Sequence, residues 1–414
     1  MDTTTFPNLT VGATITVEDY EAILTVLRSE QSLNRGKSIN DFENAFATYI
    51  NSGNAIATSS CTGALKISYQ ALGLLSPSKT VIIPINTFWN TVAPLVEANV
   101  NIEICDVEKD QLLVNTEQLE SICRKKRVDG VVITDFGGHP NNYNELLNLR
   151  TKYGFYLITD AAHAVGSSYD SKKVGSLSDV TCFSFSTLKN MVTLGEGGML
   201  TTDDSRIANM ALKLRESWST GAQIEHPSLY EEEFENLRTE EQNKLKFLRP
   251  GDSLKYSMPE IHNIGTNYKM TTIQAAVGIT QLSRLEHNNE LRKNISEYYV
   301  KQLQGSGCRV ITPIENSKSS WHLFNILLPN RDLKKQLELL EIINRITKQD
   351  NVNRYWPVVD FPPIKPLVAK NSPKKYKNYT EIYFGRMVSL PINPKLDVNH
   401  CQMISSAVID KLKQ

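Results

Sequence analysis

The chain has 414 residues, 40% apolar and 22% charged, with Lys plus Arg equal to Asp plus Glu at 45 each. That is the make-up of a soluble globular protein long enough for two domains, and the balanced charge leaves no global field for nucleic acid or an anionic membrane. No apolar run approaches the length of a bilayer span, and Met1–Ala13 has no basic stretch leading into a long apolar one, so a cytoplasmic protein with neither a membrane nor a nucleic-acid partner is expected. The six cysteines are scattered, without CxxC spacing or a histidine at ligand distance, and read as reduced core residues apart from Cys61, so no metal is expected.

In chain order, apolar residues at helical spacing predict helices over 17–29 and 39–50, with a turn at Gly36. A short strand over 55–58 runs through Ser59-Ser60-Cys61-Thr62-Gly63 into a helical pattern. Such a strand, turn and helix start either caps the helix or seats a phosphate on its free N–H groups. Further short apolar runs over 81–84, 102–105, 128–134, 156–159, 180–185 and 199–202 alternate with helical stretches over 116–125 and 144–153. This alternation predicts a mostly parallel sheet covered on both faces, with ligands gathered at the carboxyl ends of its strands.

A polar, acidic insert follows over 217–262, read as a solvated excursion or a lid. Beyond it a long helical pattern runs from Thr271 to about Gln304 and bridges to a smaller α+β part, with strands over 309–311 and 322–328 and helices over 333–346 and 398–412. The expected division is a large domain over 1–285 and a small one over 286–414.

The stretch from Leu157 to Asp203 carries the chemistry. An acid ends an apolar run at Asp160, His163 follows, Ser184 closes a second run, Lys189 lies five residues later, and a glycine-rich turn spans Gly195 to Gly198. Pyridoxal 5'-phosphate (PLP) needs these groups: an amine for a Schiff base, a carboxylate for its ring nitrogen, and hydroxyls and backbone N–H groups for its phosphate. At DAAH (Asp160–His163), SFxxxKN (Ser184–Asn190) and GEGG (Gly195–Gly198) the sequence resembles the DegT/StrS-type sugar aminotransferases, PLP enzymes of fold type I. The likeness extends in the same order through SSCTGAL (Ser59–Leu65), PINTF (Pro84–Phe88), GTNYKMTTIQAA (Gly265–Ala276), WHLF (Trp321–Phe324) and SLPINP (Ser389–Pro394).

The resemblance implies a role for each matching residue. Lys189 becomes the catalytic Schiff-base lysine. Asp160 becomes the partner of the pyridinium nitrogen, His163 a neighbour of the ring and Phe88 the aromatic stacked on its face. Cys61, Thr62 and Ser184 become phosphate contacts, and Asn267 reaches the phosphate of a neighbouring subunit. Each also has a plain structural reading: Asp160 as a helix cap, Phe88 as core, Asn267 as a turn residue. Trp89, Asn90 and Ser186 depart from the family pattern. His322 and Arg354 are placed near the pocket mouth.

The family's dehydratase branch carries His where this chain has Lys189, so the resemblance implies transamination. The implied enzyme is a homodimer with a shared site that moves an amino group from an amino acid to a keto-sugar, nucleotide-linked. Its rivals are another reaction on the same fold, such as a sugar dehydration or an aminocyclitol transamination, and a catalytically inactive sensor.

Overall fold

The computed structural model describes residues 6–29, 32–216, 223–225, 257–259, 265–348, 358–364 and 376–414. The insert over 217–262 lies outside them, apart from two short strands noted below, and so does Arg354.

Nine strands belong to the first half of the chain: β1 (Asn54–Thr58), β2 (Thr80–Pro84), β3 (Asn101–Cys105), β4 (Gly130–Thr134), β5 (Tyr156–Asp160), β6 (Ser168–Tyr169), β7 (Lys172–Lys173), β8 (Val180–Ser184) and β9 (Gly198–Thr202). Seven of them form one sheet in the order β1-β9-β8-β5-β4-β2-β3. All neighbours from β8 to β3 are parallel, and β9 runs antiparallel to both β8 and β1.

Side chains alternate across this sheet into two cores. Val132, Ile158 and Leu200 enter one, while Val131, Ile133, Leu157 and Met199 enter the other. Burial on both faces explains why the strands read as continuous apolar runs and not as polar–apolar alternation. A mostly parallel central sheet flanked by helices is the arrangement that the resemblance to fold type I enzymes implies.

A third core gathers the C-terminal part: the helices Leu285–Leu303, Leu333–Thr347 and Val398–Lys413 pack on β14 (Phe324–Leu327), itself flanked by β12 (Arg309–Val310) and β15 (Met387–Leu390). β13 (Ser317–Lys318) leaves this unit to pair with β6, and β10 (Gln223–Glu225) pairs with β11 (Ser257–Pro259). The helix expected without interruption from Thr271 to Gln304 is two helices, Thr272–Ser283 and Leu285–Leu303. The break falls at Arg284, whose guanidinium turns back onto the Thr280 carbonyl and the buried Asp19 instead of continuing along the helix surface. No helix among the described residues is long and apolar enough to cross a membrane.

The N-terminal residues act as a strap. Leu9 joins the third core; Lys395 Nζ and Asn393 Nδ2 donate to the carbonyls of Asn8 and Val11, each at 3.1 Å. The buried Arg292 donates to the carbonyls of Gly12 and, at 2.8 Å, Ile392. Gly12 N–H then donates to Thr187 O at 2.8 Å, so the strap ends against the loop that carries Lys189.

The glycine pair of GEGG has a packing role. A Cβ on Gly198 would sit 2.6 Å from Cys61 N and against the Ser60 backbone, and one on Gly197 would meet the Thr193 hydroxyl. Gly198 lets β9 pass directly beneath the turn that starts the helix Cys61–Ala71. Backbone cannot yield as a flexible side chain does, so Gly198→Ala is expected to destabilise the fold by about 1–3 kcal/mol, read as a lowered midpoint in denaturant unfolding.

Candidate active site

Several distant segments meet around a cavity of 390 Å³ at the carboxyl ends of the parallel strands. Seven of the eight residues singled out from sequence line it: Cys61, Thr62, Phe88, Asp160, His163, Ser184 and Lys189. Asn267 does not. It is exposed on a loop that is tied to the turn before the Cys61 helix by the Ser59 N–H to Tyr268 O bond of 2.7 Å and by pairing of Thr58 with Lys269.

Asp160 is the last residue of β5, level with Thr134 on one neighbouring strand and Cys182 on the other. It is only 4% exposed. Its Oδ2 accepts from Thr91 Oγ1 at 2.6 Å and its Oδ1 from Ala162 N–H at 3.0 Å. Burial raises its carboxyl above the ordinary aspartate value, while Thr91, the Ala162 N–H and the Lys189 ammonium lower it.

Lys189 sits in a tight loop between β8 and β9. Its N–H donates to Ser186 O at 2.9 Å, and the loop base is closed by Thr187 N–H to Gly195 O and Thr193 N–H to Phe185 O, both at 3.0 Å. Leu194 and Gly195 turn the chain back with φ of 58° and 110°. Burial lowers the Lys189 amine below its ordinary value, and Asp160, Cys61 and Glu196 pull it back up. An amine with a depressed pKa is the better nucleophile toward a carbonyl.

The Cys61–Ala71 helix points its N-terminus at the same cavity. Ser60 Oγ caps it by accepting from Gly63 N–H at 3.1 Å. The N–H groups of Cys61 and Thr62 lie in the first turn, where no intrahelical acceptor exists, and with the Ser184 hydroxyl they suit an anion such as a phosphate. Phe88, the N-cap of the helix Trp89–Glu97, is half-exposed toward the cavity.

Two buried imidazoles pack together beside the cavity, His163 lining it and His322 lying against His163. His163 Nδ1 accepts from Gly137 N–H at 3.2 Å, which puts the proton of its neutral ring on Nε2. The His322 ring lies 4.2 Å from it, tilted by 33°. His322 Nδ1 faces Asn190 Oδ1 at 3.0 Å; the Asn190 amide donates to Asn289 Oδ1 at 3.1 Å and Ser320 O at 2.8 Å. Asn190 therefore presents an acceptor to His322, whose proton belongs on Nδ1, leaving Nε2 with a lone pair. Burial, aided by the nearby Lys189, holds both rings well below the usual histidine range, so both stay neutral.

Thr91 and the Asn190–His322 pairing are the contacts that reading the sequence missed. Thr91 stands three residues after Phe88, in a segment read for its aromatic alone. Asn190 was visible only as the letter after the lysine, and its partner lies 132 residues away.

A model of the DegT/DnrJ/EryC1/StrS aminotransferase family matches residues 13–409. An uncharacterized protein of Methanocaldococcus jannaschii is 30% identical over 384 residues, which is 92% of this chain and 91% of that protein. The UDP-4-amino-4,6-dideoxy-N-acetyl-beta-L-altrosamine transaminase of Campylobacter jejuni is 27% identical over 404 residues, covering 96% of each chain. Among solved structures, Spr1654 of Streptococcus pneumoniae in its PLP form superposes with a TM-score of 0.82 at 20% identity, over 97% of this chain and 98% of that one.

Asn190→Ala would strand the His322 Nδ1–H, the Asn289 amide oxygen and the Ser320 carbonyl together. A loss of about 1–3 kcal/mol in denaturant unfolding is expected, with His322 shifted in an NMR titration, because buried groups lose partners and none are regained from water.

Proposed function

Because the chain belongs to the DegT/DnrJ/EryC1/StrS aminotransferase family, which is PLP-dependent, we propose that it moves the amino group of L-glutamate to a keto-sugar carried on a nucleoside diphosphate. One observation carries this reading. A single cavity joins Lys189, Asp160 and the helix N-terminus at Cys61 and Thr62, in a chain related over almost its whole length to a transaminase of a UDP-linked amino sugar.

The residues present fit the cofactor: an amine, a carboxylate and an anion seat face one cavity from different elements. When bound, PLP supplies an electron sink that makes the carbon bearing the amino group acidic. Lys189 Nζ would hold the cofactor and its free amine would serve as the general base for the substrate carbon. Asp160 would pair with the ring nitrogen. Phe88 and His163 would flank the ring. The Cys61 and Thr62 N–H groups and the Ser184 hydroxyl would hold the phosphate.

Asn267 completes that seat from a second copy of the chain in a homodimer. Its exposure beside the Ser59 turn, with the backbone on either side fixed to Leu214 and Arg215, supports this. We divide the chain into a large domain over 1–285 and a small one over 286–414, a division supported by the third core, whose buried residues apart from Leu9 lie beyond 286, while Ile311, Leu327 and Met387 join the first core.

Glutamate is expected to convert the bound cofactor to its amino form, and a dTDP-, UDP- or GDP-linked keto-hexose to convert it back, followed by absorbance. Lys189→Ala should abolish both directions and leave no cofactor fixed by borohydride. Regeneration only by a free cyclitol ketone or a simple oxo acid would refute the nucleotide-sugar reading.

Neither Asn267→Ala nor Lys189→Ala homodimers should turn over at the wild-type rate, yet mixed chains should recover activity. One of the two sites in a mixed dimer then carries both intact residues. A fully active monomer in sedimentation would refute the shared site.

A further inference from the structure

We propose that Thr91 is a positioning residue for Asp160: its hydroxyl, aimed by Thr87 and Thr134, fixes the carboxylate and keeps it an acceptor for the cofactor's ring nitrogen. The inference rests on the reading of Asp160 given above. Three buried hydroxyls form a directed chain, in which Thr134 Oγ1 donates to Thr87 Oγ1 at 2.9 Å, Thr87 to Thr91 at 3.0 Å, and Thr91 to Asp160 Oδ2 at 2.6 Å. A carboxylate only accepts, so Thr91 must donate to it; its own lone pair is then filled by Thr87, whose lone pair is filled by Thr134. The direction of every proton in the chain is set by the charge at its end.

The rest of Thr91 is pinned. Its N–H donates to Phe88 O at 3.0 Å and its carbonyl accepts from the Tyr69 hydroxyl at 2.9 Å. One short turn, 87–91, therefore carries both the aromatic proposed for the ring face and the hydroxyl that holds the ring's counter-charge.

The charged and titratable groups around Asp160 are Lys189 from the loop after β8, Cys61 from the helix after β1, Tyr69 further along that helix, Cys182 on β8 and Asp135 after β4. Only Lys189 among them favours the carboxylate. Burial already raises the Asp160 carboxyl, so loss of the Thr91 bond leaves the Ala162 N–H and Lys189 to oppose it in the cofactor-free site, and the Ala162 N–H without the Lys189 charge once Lys189 is engaged. Asp160 then takes up its proton at a higher pH, and its hold on the ring nitrogen fails earlier as the pH falls.

The test is release of PLP from holoprotein under dialysis across a pH series, followed by cofactor absorbance, for wild type, Thr91→Val, Thr91→Ser, Thr87→Val and Asp160→Asn. Thr91→Val is expected to release PLP about tenfold faster on the acid side, as loss of one hydrogen bond to a charged group implies. Its retention midpoint should move up by about one pH unit. Thr91→Ser should restore the wild-type profile. Thr87→Val, which frees the Thr91 rotor but leaves its hydroxyl, should shift the midpoint less and in the same direction, and it carries the test if Thr91→Val does not fold.

A Thr91→Val or, in its place, a Thr87→Val profile that matches wild type would overturn the proposal, as would a Thr91→Ser profile that matches Thr91→Val. Asp160→Asn separates the two levels. If it keeps wild-type retention, the reading of Asp160 fails and the proposal with it; if it loses PLP while Thr91→Val does not, only the role of Thr91 fails.

Discussion

The energetic constraint on which the site depends is the burial of the Asp160 carboxylate at the end of β5, in the middle of the large sheet. Removing an ionised carboxylate from water costs several kcal/mol unless donors and an opposite charge replace the lost hydration. Parallel strands on both sides and a core on each face leave water little access, so the replacements come from the chain. Thr91 and the Ala162 N–H supply hydrogen bonds, and Lys189 supplies the charge. Each comes from a different connection at the carboxyl edge of the sheet. Compensating one buried charge thus brings three loops together, and the cavity lies where they converge.

The same economy explains which parts were legible in sequence. The central strands were, because burial on both faces makes Val131–Ile133 and Leu157–Ile158 unbroken apolar runs, a pattern that needs no partner to recognise. Most site residues were also visible, since Asp160, Ser184 and Lys189 stand at strand ends or in the loop just beyond. The helix Trp89–Glu97 was not, because Pro94 and the β-branched Thr91, Val92 and Val96 disguise it. Nor was the break at Arg284, where a long-range pairing with Asp19 overrides a helical pattern that continues on both sides.

What stayed hidden was almost all second-partner chemistry. Thr91 meets Asp160 across 69 residues and Thr134 meets Thr87 across 47, and nothing local marks either pair. Arg292 is a similar case: nothing local marks it, yet it is among the largest fully buried side chains and its described hydrogen-bond partners are backbone carbonyls. Motif reading located the atoms that face the cavity. Only the fold showed the atoms that hold those in place.

The strap at residues 8–12 bears on how the protein is made. Its anchors on the carbonyls of Asn8 and Val11 are Lys395 and Asn393, separated from them by 387 and 382 residues. At ribosomal speeds of about 5–20 residues per second, those anchors appear roughly 20 to 80 s after the strap itself. Through that interval the nascent large sheet can assemble, while the strap behind the Lys189 loop has Arg292 on Gly12 but not yet its anchors on Asn8 and Val11. The backing of the lysine is therefore completed only once Asn393 and Lys395 have been made and fold back onto the strap.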